Sequence, residues 1–254
     1  MRVTILGCGA SGGVPLIMGK WGVCDPYNPK NRRKRASIAV QRNDTTLLVD
    51  TSPDLREQCL SAQITHIDAV LYTHDHADHT HGIDDLRPWA RINNVLVDIY
   101  GDQAALDFLK SRFGYAFSSE EMTPDIYRGF VVPHLIEGPF QVGDIFVHPF
   151  VQGHGYTTSL GYRFDKIAYS TDVVELDEKA FAVLEGVDVW IVDCLGEDPK
   201  PTHAHLDKTL EWIERVKPRK AYLTHMSHLL DYDTLLSKLP EGVEPAYDGL
   251  VIEV

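Results

Sequence analysis

The stretch Thr73-His74-Asp75-His76-Ala77-Asp78-His79 places four potential metal ligands directly after the apolar residues 69–72. Neutral imidazole nitrogens and carboxylate oxygens are ligands that Zn²⁺ and Mn²⁺ prefer. Side chains two residues apart on an extended chain point the same way, so His74 and His76 can share one ion. After the chain turns, Asp78 and His79 can face a neighbouring position. A polar loop after a strand is the alternative, but it rarely carries four such side chains in register. The stretch therefore predicts half-sites for two metal ions.

Three other apolar runs also end in a residue that can bind metal. His154 follows residues 145–151, Asp172 follows 166–169, and His225 follows 220–223. Taken alone, either histidine would be an ordinary polar residue, and Asp172 would be a helix N-cap. Four strand ends with the same arrangement indicate catalytic groups that gather along one edge of a sheet. We therefore predict a two-metal hydrolytic site.

The order His-x-His-x-Asp-His, followed by His, Asp and His at strand ends, resembles the metallo-β-lactamase superfamily. Within it the chain is similar to the PhnP-like phosphodiesterases, on the evidence of residues 6–15 (LGCGASGGVP), 31–37 (NRRKRAS), 48–56 (LVDTSPDLR) and 224–228 (THMSH). This resemblance implies an α/β fold of the αββα sandwich type, with two mixed β-sheets flanked by helices. It also implies one hydrolase domain over residues 1–254.

The resemblance implies a role for each predicted ligand. One ion would be bound by His74, His76 and His154, the other by Asp78, His79 and His225, and Asp172 would bridge the two. A carboxylate at position 172, where some β-lactam-cleaving members have cysteine, suits an evenly bound pair. The expected cofactors are two divalent transition-metal ions, Zn²⁺ or Mn²⁺.

The chain departs from the PhnP pattern in one respect. The resemblance to PhnP implies an additional structural zinc held by a cluster of cysteines, but in the corresponding residues 18–24 only Cys24 remains, with His228 as a possible distant partner. A closed structural zinc site needs four nitrogen or sulfur ligands. We therefore expect no structural zinc.

The remaining candidate residues concern proton transfer and substrate. A histidine can act as a general acid at neutral pH, and the resemblance favours His203 over His205. The alternative is that Thr202 caps a helix and both histidines are merely exposed. Asp50 is a candidate for orienting an imidazole, whereas Asp75 and Asp84 are more typical of surface aspartates. The candidate catalytic residues are Asp78 and His203, and the candidate substrate-binding residues are Ser11, Arg33, His203 and His205.

Composition limits the partners of the protein. A formal net charge of −13 over 254 residues argues against a broad nucleic-acid-binding surface, but it is compatible with a small phosphorylated substrate. The basic run from Lys30 to Arg35 could be a solvated turn or a phosphate contact. Four scattered cysteines indicate a reducing compartment. No signal peptide or membrane span is recognisable, so we expect a cytoplasmic protein, with a homodimer possible.

Several functions remain open at this stage. The preferred function is hydrolysis of a small phosphodiester, such as a cyclic nucleotide or a phosphoribosyl cyclic phosphate. A thioester or lactam hydrolase is disfavoured by Asp172. A tRNA-processing nuclease would be expected to carry a long Gly/Pro/Lys-rich arm, and none is visible. A non-catalytic metal-binding protein is disfavoured by the complete ligand set.

Periodicity predicts alternating strands and helices along the chain. The predicted strands are residues 3–6, 37–42 and 46–50, with β-hairpins over residues 130–151. The predicted helices are residues 53–62, 83–92, 102–113, 177–184 and 205–216.

Overall fold

The computed structural model describes residues 1–117 and 129–254, and these residues form two seven-stranded β-sheets. The strands are β1 (Arg2–Gly7), β2 (Ser37–Arg42), β3 (Thr45–Val49), β4 (Ala69–Leu71), β5 (Val97–Gly101), β6 (Val131–Leu135), β7 (Phe140–Val142), β8 (Ile145–His154), β9 (Thr157–Phe164), β10 (Ile167–Ser170), β11 (Val189–Asp193), β12 (Lys220–Thr224), β13 (Val243–Pro245) and β14 (Val251–Glu253). The helices are α1 (Leu55–Ser61), α2 (Ala77–Thr80), α3 (Leu86–Asn93), α4 (Gln103–Arg112), α5 (Glu178–Leu184), α6 (Leu206–Val216) and α7 (Tyr232–Leu236).

Both sheets are mixed. The first has the order β14-β1-β2-β3-β4-β5-β6, antiparallel from β14 to β3 and parallel from β3 to β6. The second has the order β13-β12-β11-β10-β9-β8-β7, parallel from β13 to β10 and antiparallel from β10 to β7. Helices flank the pair of sheets, which confirms the predicted αββα sandwich.

The alternation of side chains along the strands divides the core into two apolar layers. Val3, Ile38 and Val40 belong to the layer that also contains Tyr162 and Trp190 of the second sheet. Side chains on the opposite face of the first sheet pack against α1, α3 and α4. Successive residues of a strand face opposite sides, so β3 of the first sheet contributes Leu47 and Val49 to one layer and Leu48 to the other.

The predicted helices agree with the structure, and two of their caps are clear. The Asp102 and Asp177 side chains accept hydrogen bonds from the backbone N–H groups of Ala105 and Ala180, each at 2.8 Å. One strand prediction was wrong. Residues 131–135 are not part of a hairpin, because β6 pairs in parallel with β5 in the first sheet, and only β7 and β8 form the expected hairpin.

The parallel strands of each sheet end near the same edge and bring the polar strand ends together. In the second sheet, β10, β11 and β12 lead to Asp172, Asp193 and His225. In the first sheet, β3 and β4 lead to Asp50 and His74. A backbone hydrogen bond of 2.8 Å, from Leu160 N–H to the Thr73 carbonyl, joins the two sheets near this edge.

Among residues 1–117 and 129–254, no helix combines the length and the apolar character needed to cross a membrane.

Candidate metal centre

Asp172 lies in the middle of a group of buried histidines, with one carboxylate oxygen on each side. Its Oδ2 is 3.7 Å from His74 Nε2 and 3.8 Å from His154 Nε2. Its Oδ1 is 3.1 Å from His79 Nε2 and 3.5 Å from His225 Nε2. One carboxylate therefore faces two separate pairs of imidazoles.

Asp78 and His76 complete the two groups. Asp78 Oδ2 lies 3.3 Å from His79 Nε2 and 3.6 Å from His225 Nε2. His76 Nδ1 lies 3.4 Å from His154 Nε2, and His76 is the exposed member of its group. Within each group, the potential ligand atoms all lie within 4.8 Å of one another. The structure thus brings together all seven residues that the sequence proposed as ligands.

The arrangement fits divalent metal ions. The Nε2 atoms of His74, His79 and His225 are buried and have no hydrogen-bond partner among the described residues. Buried polar atoms are otherwise nearly always satisfied, so such atoms facing one carboxylate are arranged to bind a cation. Ligands about 2.0–2.2 Å from a shared ion lie roughly 3–4 Å from each other, which is the spacing found here.

The charges of the centre favour bound cations. Burial lowers the pKa values of His74 and His154, which keeps both imidazoles neutral and able to bind metal. Burial alone would also lower the pKa of His225, but the Asp172 carboxylate and its neighbours raise it to about 9. Burial would raise the pKa of Asp78, yet the charge of His79 and the nearby His225 imidazole hold it well below its ordinary value. The carboxylates thus attract positive charge, which metal ions can supply in place of protons.

The other ring nitrogens are held by hydrogen bonds that aim Nε2 at the centre. His79 Nδ1 donates to Asp50 Oδ2 at 2.6 Å, which confirms the prediction that Asp50 orients an imidazole. His74 Nδ1 donates to Thr73 Oγ1 at 2.9 Å, and this hydroxyl in turn donates to Asp50 Oδ2 at 2.8 Å. His154 Nδ1 donates to the carbonyl of Thr202 at 2.7 Å. Such partners fix both the tautomer and the orientation of ligand histidines.

His203 lies beside the metal ligands and is held by a carboxylate that the sequence reasoning missed. His203 Nδ1 donates to Asp193 Oδ2 at 2.9 Å, and His203 Nε2 is 3.8 Å from Asp172 Oδ2. The His203 side chain is 14% exposed, so it borders both the centre and solvent. Asp193 is fully buried and also accepts from the Val173 N–H at 3.0 Å. Its sequence signal was the same as that of the predicted ligand Asp172, a carboxylate at the end of an apolar run.

The other predicted substrate residues have different positions. His205 is half-buried and directly precedes α6, so the alternative that Thr202 caps this helix is wrong. Ser11 is exposed, and its carbonyl accepts from Arg35 Nε at 3.2 Å. Arg33 requires a correction, because it is only 2% exposed and donates to the Ser227 carbonyl at 3.0 Å. A buried guanidinium held in this way supports the segment after His225 and cannot reach a substrate.

Cys24 is also engaged in local contacts. Its thiol donates to the carbonyl of Leu230 at 3.3 Å, and Arg33 Nη1 lies 3.9 Å from the sulfur. Within the part of the chain that the structure describes, no group of residues arranged to hold a metal includes Cys24. That the protein binds no structural zinc stays a prediction.

Three residues of the centre have left-handed backbone conformations. The φ angles are 66° for Asp50, 53° for Asp172 and 56° for His225. A non-glycine residue in this region costs about 1–3 kcal/mol, and such strain concentrates at functional sites. Each of the three follows a strand, so the turn redirects a side chain from the strand into the centre.

Comparisons with known proteins agree with this geometry. A family model described as a beta-lactamase superfamily domain matches residues 45–226. A solved structure described as a new diphosphatase from the PhnP family is 35% identical, with a TM-score of 0.89 over 100% of this chain and 97% of that one. Zn²⁺-bound PqqB from Methylobacterium extorquens is 19% identical, with a TM-score of 0.78 over the full length of both chains, and shows the shared fold alone.

A curated relative has a different name. The octanoyltransferase of Porphyromonas gingivalis is 32% identical over 257 residues, which cover 98% of this chain and 51% of that protein. The chain therefore spans about half the length of this relative, and the relative's name describes a protein about twice as long. The family model and the PhnP-family structure each cover most of this chain. The protein belongs to the metallo-β-lactamase superfamily, within its PhnP-like group.

Proposed function

We propose that the protein is a phosphodiesterase that uses two divalent transition-metal ions to hydrolyse a small phosphodiester. The observation that carries this proposal is the position of Asp172, whose two carboxylate oxygens face two separate ligand groups. A bridging carboxylate of this kind suits a metal pair about 3.5–4 Å apart, the spacing used for in-line displacement at phosphorus. The name of the PhnP-family relative, a diphosphatase, also supports a phosphoryl substrate.

The ligand roles follow from the two groups of side chains. His74, His76 and His154 would hold one ion, and Asp78, His79 and His225 the other, with Asp172 shared. When bound, the two ions would neutralise charge on the phosphoryl oxygens and activate a water molecule as the nucleophile. Asp78 would act in catalysis as a ligand of the second ion. Zn²⁺ and Mn²⁺ both suit a set of nitrogen and oxygen ligands without thiolate.

His203 is the proposed proton donor to the leaving group. Its Nδ1 is fixed by Asp193, which leaves Nε2 directed toward the centre and able to carry a proton. An alkoxide is a poor leaving group, so protonation by a positioned histidine lowers the barrier to its departure. The partial exposure of His203 and the exposure of His76 place the entrance on this side of the centre. His205 and Ser11 remain candidates for substrate contact.

A second candidate is hydrolysis of a phosphoanhydride, favoured by the diphosphatase name of the PhnP-family relative. The two reactions share metal chemistry and differ in the leaving group. A phosphate leaves without general-acid help, whereas an alkoxide needs it. Hydrolysis of a thioester is a weaker alternative, suggested by the octanoyltransferase name of the longer relative.

A substrate panel tests these alternatives. The Zn²⁺- or Mn²⁺-loaded protein would be assayed with p-nitrophenyl and alkyl phosphodiesters, a disubstituted diphosphate, an octanoyl thioester and a β-lactam. We expect metal-dependent turnover of the diesters that is abolished in Asp172→Ala. A matched control is His134→Ala, because this half-exposed histidine pairs with Asp98 outside the centre. Faster turnover of the thioester or lactam than of every phosphoryl substrate would refute the proposal.

A further inference from the structure

The structure contains a buried carboxylate outside the metal centre that the proposed reaction does not use. Asp248 lies in the turn before β14, and its Oδ2 accepts from the backbone N–H of Lys34 at 2.8 Å. Its Oδ1 accepts from the backbone N–H of Cys8 at 3.2 Å and lies 3.5 Å from the Cys8 thiol. The Lys34 ammonium is 4.0 Å from Oδ2. One carboxylate therefore ties two separate N-terminal segments to the C-terminal turn.

These two segments hold the residue that follows a proposed metal ligand. The Cys8 carbonyl accepts from the Met226 N–H at 2.9 Å, and the Met226 carbonyl accepts from the Ala10 N–H at 3.2 Å. The Gly9 N–H between them donates to the Lys34 carbonyl at 2.8 Å. Both backbone groups of Met226 are thus bound by residues 8–10, and this segment is bound in turn to Lys34.

The packing leaves little room for this segment to move. A Cβ atom added at Gly7 would lie 2.0 Å from the Arg35 carbonyl oxygen, and one added at Gly9 would lie 2.9 Å from the Lys34 carbonyl oxygen. The residue directly before Met226 is His225, whose left-handed φ of 56° aims its imidazole at the centre. The conformation of His225 therefore depends on where Met226 is held.

We propose that Asp248 is a positioning residue for His225, acting through the segment Cys8–Ala10 and Met226. The carboxylate accepts the Cys8 and Lys34 N–H groups together and so fixes the two segments at the distance that His225 requires. The inference rests on the proposed function in one respect, since it takes His225 as a metal ligand. Asp248 itself touches neither metal ligand nor substrate.

Asp231 offers a matched control. Its carboxylate also joins the N-terminal and C-terminal parts of the chain, accepting from the backbone N–H groups of Asp25 at 3.1 Å and Thr234 at 3.0 Å. It also accepts from Asn31 Nδ2 at 2.7 Å. None of its hydrogen bonds within residues 1–117 and 129–254 involves residues 8–10. A general loss of stability should therefore appear when either Asp248 or Asp231 is replaced, whereas a change at His225 should appear only when Asp248 is replaced.

The experiment compares the wild type with Asp248→Asn and Asp231→Asn. Zn²⁺ dissociation constants would be measured by competition with a chelator, and the Co²⁺-substituted proteins would be compared by visible absorption. We expect Asp248→Asn to weaken one of the two ions about tenfold and to alter the Co²⁺ spectrum, since partners beyond the ligands typically change affinity by about 10–100-fold. Asp231→Asn should retain both affinities and the spectrum. Unchanged affinities and spectrum in Asp248→Asn would overturn the inference.

A second measurement uses only the wild type and is independent of whether the variants fold. Coupling between two sites is reciprocal, so an ion bound at His225 should stabilise the contacts of Asp248. Zn²⁺ loading should slow amide hydrogen exchange at Cys8 and Lys34 more than at Asp25 and Thr234. Equal slowing at both pairs would overturn the inference. Failure of the wild type to bind two ions would instead refute the proposed function, which keeps the two failures distinguishable.

Discussion

Asp193→Asn tests whether the Asp193–His203 pair delivers a proton to the leaving group. Asp193 is fully buried, and its Oδ2 accepts from His203 Nδ1 at 2.9 Å and from the Val173 N–H at 3.0 Å. The carbonyl oxygen of an asparagine can accept both hydrogen bonds from the same position. The substitution therefore removes the negative charge while it keeps the shape of the site.

The expected magnitude follows from these contacts. A hydrogen bond to a charged group contributes about 1.5–3 kcal/mol, compared with about 0.5–1.5 kcal/mol for a neutral one. Losing the difference, about 1–1.5 kcal/mol, corresponds to a loss of about 5- to 13-fold in kcat. His203→Ala removes the donor itself and should cost about 10²–10⁴-fold on an alkyl phosphodiester. Both losses should shrink for p-nitrophenolate, which departs without protonation.

The assay is kcat on matched alkyl and p-nitrophenyl phosphodiesters, with metal content measured on each variant. Metal content matters because Asp193 Oδ1 lies 3.8 Å from His225 Nδ1. Asp98→Asn is the control, since Asp98 makes a 2.8 Å contact with His134 away from the centre. Equal losses on both substrates at full metal content would refute the reasoning. The pair would then position the phosphate, and the acid would have to be sought at His205 or in solvent.

Further predictions concern metal content, Asp172 and pH. Elemental analysis should give about two transition-metal ions per chain, and a third tightly bound ion would contradict the expectation that Cys24 holds no structural zinc. Asp172→Ala and Asp172→Gly should both be inactive, but the glycine variant should be more stable by about 1 kcal/mol in denaturant unfolding because φ is 53° here; equal stabilities would argue against strain. Burial raises the pKa of Asp248 from 3.8 to about 6, so the folded protein binds this proton more tightly than the unfolded chain does. The stability that this carboxyl contributes below pH 3.8 is lost as the pH rises through 6, by at most about 3 kcal/mol. The free energy of unfolding of the metal-free wild type should therefore fall with pH relative to that of Asp248→Asn, and a rise would contradict this sign.

The ligand residues could be found in the sequence because each carries its own local signal. An apolar run that ends in histidine or aspartate indicates a strand end, and parallel strands bring such ends to one edge. His74, Asp172 and His225 were recognisable in this way, without knowledge of the strand order. Within residues 130–151 the hairpin prediction failed for β6 alone, because the same run of residues can pair with either sheet. Periodicity identifies a strand but not its partner.

Residues whose role depends on a distant contact could not be assigned from sequence. Asp193 has the same local signal as Asp172, but its partner His203 is fixed by a loop that periodicity does not describe. Within the basic run, Arg33 is buried while Arg32 is exposed, and nothing in a row of like charges tells which side chain turns inward. In the structure Arg33 is the side chain that turns inward, because its guanidinium donates to the carbonyl of Ser227.

The metal centre gathers several unfavourable features that the fold would otherwise avoid. Buried histidine nitrogens lack partners among the described residues, and Asp50, Asp172 and His225 have strained backbones. Unpartnered buried polar atoms and left-handed residues each cost on the order of 1–3 kcal/mol. Two bound ions would satisfy the nitrogens and the Asp172 carboxylate together, because a ligand that binds only the folded state stabilises it. The rigid core of two sheets holds these strained residues in place, and the arrangement that makes the metal-free protein less stable is the one that would bind a metal pair.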